Sequence, residues 1–263
     1  MPDLSIIVPI YNERATVATA VEQLLAAELP VLSYEVVLVD DGSTDGTREW
    51  LREQVFPSSV QLVLHDHNRG KGAAVRTGLQ HASGTYATIL DADLEYAPES
   101  LTPLLRPLLE GDAQVVYGVR GFEAHSAFSF WYVVGNKAVS LAANVLFNTW
   151  LSDIMTCHKV LPTSLFRALN LRERGFAFEA EITARLAGSG VRIYEVPVTY
   201  RARSREDGKK LTAADGVRVL GTLVRCRLDR RVLRNAQAHV PAPPELTDDL
   251  RARFERVQPV ARR

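Results

Sequence analysis

Nowhere among the 263 residues do ~18 apolar side chains run without interruption, so no segment reads as a span of a lipid bilayer. The nearest approach, AFSFWYVVGNKAVSLAANVLFNTWL (127–151), is broken by Asn136, Lys137, Asn144 and Asn148 and better suits an amphipathic or interfacial helix. The N-terminus, MPDLSIIVPIYNE, lacks the basic region and small-residue cleavage site of a secretory leader. The expectation is a soluble or peripheral chain on the cytoplasmic side of a membrane. Cysteine is scarce: Cys157 and Cys226 form no metal-ligand or redox spacing and read as free thiols of a reducing compartment. Charge of one sign is not in excess, since 31 Lys and Arg balance 31 Asp and Glu, so no global field draws nucleic acid. There are no internal repeats.

Two glycine signatures are also missing. HNRGKGAAVRTG (67–78) lacks the G-x-x-x-x-G-K-[ST] spacing of a Walker loop, and no G-x-G-x-x-G follows a strand. These absences exclude a P-loop nucleotidase and a dinucleotide-binding dehydrogenase. Gly70 and Lys71 still fall where a helix should begin and can face an anion there.

What is present is alternation. Apolar, strand-like runs occur at LSIIVPI (4–10), YEVVLVDD (34–41), VQLVLHD (60–66), YATILDAD (86–93) and AQVVYGVR (113–120). Helix-length segments at 13–28, 45–54, 70–82 and 99–109 separate them, with Ser43 and Thr44 as caps before the second. This order predicts βαβ units and a mostly parallel sheet covered on both faces. The second half is less regular, with helices expected at 135–150 and 178–188 and a strand at VRIYEVPVTYRA (191–202). From Arg201 to Arg234, eleven Lys or Arg stand against four Asp or Glu, a local net charge of +7. HVPAPPEL (239–246) reads as a linker, and Leu246, Leu250, Phe254 and Val257 as one apolar stripe for docking or dimerisation.

Ligands of such sheets bind beyond the carboxyl ends of the strands, and acids gather there. Asp40 and Asp41 end one strand; Asp91, Asp93 and Glu95 end another. Alternation along the strand puts Asp91 and Asp93 on one face, with Glu95 within reach as the chain leaves the sheet. Hard carboxylate oxygens in that number suit Mg²⁺ or Mn²⁺, with water and substrate phosphate completing the shell. A solvated acidic turn is the plainer alternative for an isolated D-x-D. In DDGSTDGT, Gly42 serves the bend and Ser43 and Thr44 the cap, but two adjacent acids exceed what a turn requires.

Taken in order, VPIYNE, VLVDDGSTDGT, NRGKGAAVRTG, LDADLE, YGVR, SDIMTCHKV, FAFEAEITARLAGSGVRIYEVPVTYRAR and EDGKK resemble the inverting family 2 glycosyltransferases of GT-A fold, especially the polyprenyl- and dolichol-phosphate glycosyl synthases. The resemblance covers roughly residues 4 to 225. It implies an α/β GT-A domain over 1–234, followed by a linker and a short C-terminal helix or tail over 235–263. Pro9, Tyr11, Asn12, Glu13 and Asp40 would then line the nucleotide base and ribose, with Lys71 and Ala92 also in the donor site. Asp91 and Asp93 would hold Mg²⁺ or Mn²⁺ on the donor diphosphate; Glu95, where many relatives carry Gln, adds a negative charge beside the ion. Arg120, Arg203 and Lys209 match basic positions associated with donor and acceptor phosphates, and Lys159 matches a recurrent basic position. Arg225, Arg227, Arg230 and Arg231 read as a solvated basic face.

The implied reaction moves a sugar from a UDP- or GDP-sugar to polyprenyl phosphate at the membrane surface. A phosphate monoester acceptor, with a second pKa of about 6, is already a nucleophile at neutral pH. A hydroxyl acceptor of a glycan or glycolipid would instead need a base, for which Asp153 is the candidate; a structural acid orienting Arg or Lys is its other reading. Phe128, Phe130, Trp131 and Tyr132 would dip into the headgroup layer, or pack a core or a homo-oligomer. A non-catalytic nucleotide-sugar binder is the remaining alternative. A nucleotidyltransferase would require a glycine-rich basic N-terminal loop, which is absent.

Overall fold

LSIIVPI forms β1 (Leu4–Ile10), buried on both faces as the centre of a parallel sheet requires. The computed structural model describes residues 3–31, 33–120, 130–201, 213–229, 236–241 and 252. After β1 come α1 (Val17–Ala26), β2 (Tyr34–Asp40), α2 (Thr47–Glu53), β3 (Val60–Leu64), α3 (Lys71–His81) and β4 (Tyr86–Ile89). A 3-10 turn (Pro98–Leu101), α4 (Thr102–Leu109) and β5 (Val116–Arg120) complete the first half. The expected alternation is present, with ends trimmed by a few residues.

The sheet runs β3-β2-β1-β4 and then takes in β5 and two strands of the second half. β1 pairs in parallel with β2, Leu4 opposite Tyr34 and Ile10 opposite Asp40, and with β4, Leu4 opposite Tyr86. The chain therefore winds outward from β1 to β3 and returns on the other side at β4. The strand order reverses between β1 and β4, where a doubly wound sheet opens its crevice. Alternation along β1 places Leu4, Ile6, Val8 and Ile10 in one core layer with Val36 and Leu38. Ile7 faces the opposite layer, against Val75 and Leu79 of α3.

The second half adds α5 (Phe130–Phe147), β6 (Lys159–Pro162), α6 (Thr163–Ala168), α7 (Ala177–Gly188), β7 (Tyr194–Val198) and α8 (Ala213–Leu228). β6 lies antiparallel between β4 and β5, and β7 runs parallel to β5 at the edge. Neither β6 nor α6 is expected from the sequence, because KVLP is four residues long and carries a lysine and a proline. The basic stretch also hides α8, whose Val219 and Leu223 pack with Val139 and Ala143 of α5 and Ala180 of α7. In the expected linker, the His239 carbonyl accepts the Ser164 hydroxyl at 2.5 Å, and Ala236 is buried, so this turn is docked on α6. Among the described residues, no helix is long and apolar enough to cross a membrane. Arg203, Lys209, Phe128 and the apolar stripe from Leu246 to Val257 lie outside the described residues.

Candidate active site

At the carboxyl ends of β1 and β4 lies a cavity of about 330 Å³. Pro9 lines it from the end of β1, and Tyr11 and Glu13 from the loop that follows. That loop is fixed by its neighbour: the Asn12 amide donates to Ser43 Oγ at 3.0 Å, and the Thr44 amide to Asn12 Oδ1 at 2.8 Å. Asn12, at φ 53°, is thus a brace and is not part of the wall. Glu13 lies just ahead of α1, and its Oε2 accepts the Thr16 hydroxyl at 3.0 Å.

The adjacent acids divide their work. Asp40, fully buried and off the cavity wall, takes Arg48 Nε at 2.8 Å and the Ser43 amide at 3.3 Å. The expectation that Asp40 meets base or ribose therefore does not match its placement; its carboxylate is occupied by Arg48. Asp41 reaches the wall. It takes His65 Nδ1 at 2.7 Å and the amides of Arg69 and Gly70 at 3.0 and 2.7 Å, fixing the loop that precedes α3.

That loop sets Lys71. Gly70 has φ 93°, and a Cβ there would stand 2.4 Å from the Arg174 carbonyl oxygen. The Gly72 amide donates to that same oxygen at 2.7 Å, while those of Ala73 and Ala74 bond back to Gly70. These helix-start amides are thus occupied, and the Lys71 ammonium is the group α3 offers to the cavity. Its Nζ lies 2.7 Å from Asp91 Oδ2 and 3.4 Å from Glu179 Oε1. Burial alone would lower the Lys71 pKa, but Asp91 and Glu179 outweigh it and hold the group well above its ordinary value.

Asp91 and Asp93 both line the cavity, for a reason other than strand alternation. β4 ends at Ile89, opposite Ile7, and the chain turns at once, with Leu94 at φ 61°. Ala92 is buried between the acids; Asp93 Oδ1 accepts the Glu95 amide at 3.0 Å. Glu95 turns toward β7, where Tyr200 Oη donates to its Oε2 at 2.7 Å and the Arg201 amide to its carbonyl at 2.9 Å. The three acids expected at an ion are consequently not gathered into one cage: among the described residues, no three His, Cys, Asp or Glu side chains are grouped to hold a metal.

Arg120, the last residue of β5, lines the opposite wall with its guanidinium over the Tyr200 ring, 5.3 Å from the centroid. Behind it sits Asp153, off the wall. Arg120 Nε and a terminal nitrogen reach its two oxygens at 2.6 and 2.8 Å, and Asn136 Nδ2 adds a third bond at 3.0 Å. Burial would raise the Asp153 pKa, but Arg120 and Asn136 hold it below the usual carboxylate value.

Glu179, Tyr96, Cys157 and Tyr200 also line the cavity, although none of the four is expected there from the sequence. The signal for Glu179 is an acid on α7, a helix buried almost all round: a buried carboxylate needs a partner. The partner is Lys159, fully buried, with Nζ 2.5 Å from Glu179 Oε2 and also bonded to the Thr156 carbonyl. Lys159 is off the wall, so it acts on the cavity through Glu179. Burial raises the Cys157 thiol well above its ordinary pKa, which leaves it protonated and unreactive. Burial also pushes His158, stacked on Tyr96 at 3.9 Å, down to about 3.

The description Glycosyl transferase family 2 matches residues 5–167. The glycosyltransferase AglJ of Haloferax volcanii is 29% identical over 204 residues, which are 77% of this chain and 64% of that one. The undecaprenyl-phosphate 4-deoxy-4-formamido-L-arabinose transferase of Aeromonas hydrophila is 32% identical over 150 residues, 54% of this chain and 44% of that one. The chain thus spans less than two thirds of the length of either relative. The glucosyl-3-phosphoglycerate synthase of Mycobacterium tuberculosis, solved with Mn²⁺, UDP and glucosyl-3-phosphoglycerate, superposes with a TM-score of 0.65. It is 21% identical, with 86% of this chain and 80% of that one covered, and shares the fold. With its GT-A sheet and a matched segment covering most of its length, the chain belongs to glycosyl transferase family 2.

Proposed function

We propose that this enzyme transfers a sugar, with inversion, from a UDP- or GDP-sugar to the phosphate of a polyprenyl phosphate at a membrane surface. The observation that carries this reading is the pairing of Arg120 with Asp153. The acid set by its motif to serve a hydroxyl acceptor as base is instead held ionised behind a guanidinium that faces the cavity. Such a wall presents a cation to an acceptor, which a phosphate needs and a hydroxyl does not. The Aeromonas relative, named for an undecaprenyl-phosphate acceptor, supports the same class.

In this reading Pro9, Tyr11 and Glu13 face the donor nucleoside, with Asp41 in the place expected of Asp40. Six carboxylates line the cavity (Glu13, Asp41, Asp91, Asp93, Glu95 and Glu179) against Lys71 and Arg120. A nucleoside diphosphate would add more negative charge, so the cavity fits a divalent cation, and Asp91 and Asp93 offer the hard oxygens that Mg²⁺ or Mn²⁺ prefers. When bound, the ion supplies Lewis-acid stabilisation of the leaving diphosphate. Arg120 holds phosphate, with Arg203 and Lys209 as further contacts. An acceptor phosphate oxygen attacks the anomeric carbon; the bond to the donor β-phosphate oxygen breaks, and the nucleoside diphosphate leaves with the electron pair. No proton need move, because the acceptor is largely a dianion at neutral pH.

We take residues 1–234 as the catalytic unit and 235–263 as an extension. Membrane contact is assigned to α5 and α8, which turn Val134, Leu141, Val145, Val217, Leu220 and Leu228 outward, with Trp150 just beyond α5 and Arg218, Arg225 and Arg227 exposed beside them. Apolar side chains flanked by arginines fit an anionic headgroup layer.

The test is nucleoside diphosphate release from a panel of UDP- and GDP-sugars with Mg²⁺ or Mn²⁺ and a short polyprenyl phosphate. Release that requires both metal and lipid phosphate is expected. Donor hydrolysis unaffected by the lipid, and stimulated by a glycan hydroxyl, would overturn the phosphate-acceptor reading.

A further inference from the structure

Lys71 has two carboxylates within reach and a hydrogen bond to one. Its Nζ donates to Asp91 Oδ2 at 2.7 Å; Glu179 Oε1, 3.4 Å away, is buried and makes no hydrogen bond. A buried carboxylate oxygen left in that state calls for an explanation. The rest of the arrangement is rigid. Glu179 is anchored through Oε2 by the fully buried Lys159. Lys71 is anchored at its backbone, where Asp41 holds the Gly70 amide and residues 173 and 174 pack against Gly70 and Gly72 with no room for a Cβ. With Glu179 and the Lys71 backbone anchored, a small swing of the flexible lysine stem exchanges one acceptor for the other.

We propose that Lys71 is a displaceable counter-ion: its ammonium neutralises Asp91 while no divalent ion is bound and passes to Glu179 Oε1 when one binds. This rests on the reading of Asp91 as an ion ligand. It assigns Glu179 as a positioning residue and gives the otherwise unbonded oxygen a use. The ion therefore competes with Lys71 for Asp91, and ion affinity reports where the ammonium rests.

The experiment is Mn²⁺ binding to the intact chain, followed by loss of the free-Mn²⁺ electron paramagnetic resonance signal, without donor or acceptor and again with UDP or GDP. Lys71→Met should bind Mn²⁺ on the order of tenfold tighter, since a unit charge beside the ion is removed. Glu179→Gln should bind it several-fold more weakly, because the ammonium loses its alternative acceptor. In the Lys71→Met background the Glu179 substitution should have no further effect, an internal control for any change in packing. The proposal is overturned if Lys71→Met binds no tighter than wild type, or if Glu179→Gln weakens binding equally with and without Lys71. Failure of the underlying ion reading looks different: Asp91→Asn would then bind Mn²⁺ as the wild type does, or no variant would bind it even with nucleoside diphosphate.

Discussion

Asp153 gives both its oxygens to one guanidinium: Arg120 donates from Nε at 2.6 Å and from a terminal nitrogen at 2.8 Å, with both side chains buried. Such a pair fixes the guanidinium plane on the cavity wall as a single lysine contact would not. Breaking a buried pair from one side leaves an uncompensated charge.

Asp153→Asn should therefore cost stability, about 3–5 kcal/mol by urea unfolding at pH 7. The folded pKa of Asp153 lies below its unfolded value of about 3.9. Its stabilisation is then complete above that value and is lost as pH falls through the lower folded one. The wild type should lose stability in that acid window and the variant should lose less. An unfolding midpoint unchanged by the substitution, with turnover abolished, would instead mark Asp153 as a base.

His158 titrates in a different window. Its folded pKa is about 3, against an unfolded value of about 6.5, so the unfolded chain takes up the proton first. Its neutral burial contributes fully above pH 6.5, and that contribution falls as pH drops toward 3, by at most about 1.4 kcal/mol per pH unit. His158→Phe keeps a ring against Tyr96, loses the bond to Ser100 Oγ at 2.7 Å, and should flatten the slope between pH 6 and 4. Unfolding curves across that range measure it.

Gly70 and Gly190 both have positive φ but differ in surroundings. At Gly190 nothing lies within 4 Å of an added Cβ, so Gly190→Ala should cost only the left-handed backbone strain, about 1–2 kcal/mol. At Gly70 the Cβ would also strike the Arg174 carbonyl, and Gly70→Ala should cost more and weaken nucleotide binding by shifting Lys71. Thermal unfolding and UDP or GDP titration compare the two.

Val145 on α5 and Leu228 on α8 are 75% and 74% exposed. Val145→Asp and Leu228→Asp should leave unfolding within about 0.5 kcal/mol of wild type. Both should reduce co-sedimentation with vesicles of anionic phospholipid. Unchanged sedimentation alongside a lost dimer would assign this face to a second copy of the chain.

Glu95 and Tyr200 tie the turn after β4 to the end of β7. Glu95→Gln retains an acceptor for the tyrosine hydroxyl and should be nearly neutral for stability, whereas Tyr200→Phe should cost about 1 kcal/mol in a denaturant titration.

Six of the seven strands and the βα order of the first 120 residues follow from the pattern of the sequence, because a strand buried on both faces must be apolar along its length and its helices must alternate with it. The gathering of acids beyond the strands is legible for the same reason, since carboxylates stay out of the interior unless paired. What the sequence could not decide is which acid faces the cavity and which is consumed. Asp40 and Asp41 look equivalent until Arg48 and His65 arrive from other elements. Asp91 and Asp93 come together through a turn rather than a strand, and Glu95, also on the wall, is engaged by Tyr200. β6 was hidden because a four-residue strand carries too little periodicity. It nevertheless brings Lys159 under Glu179, and so decides which carboxylates remain to receive the Lys71 ammonium. Apart from Asp40 and Arg48, these partners lie far apart in the chain, and a charge becomes bound or available only when folding sets its counter-charge beside it.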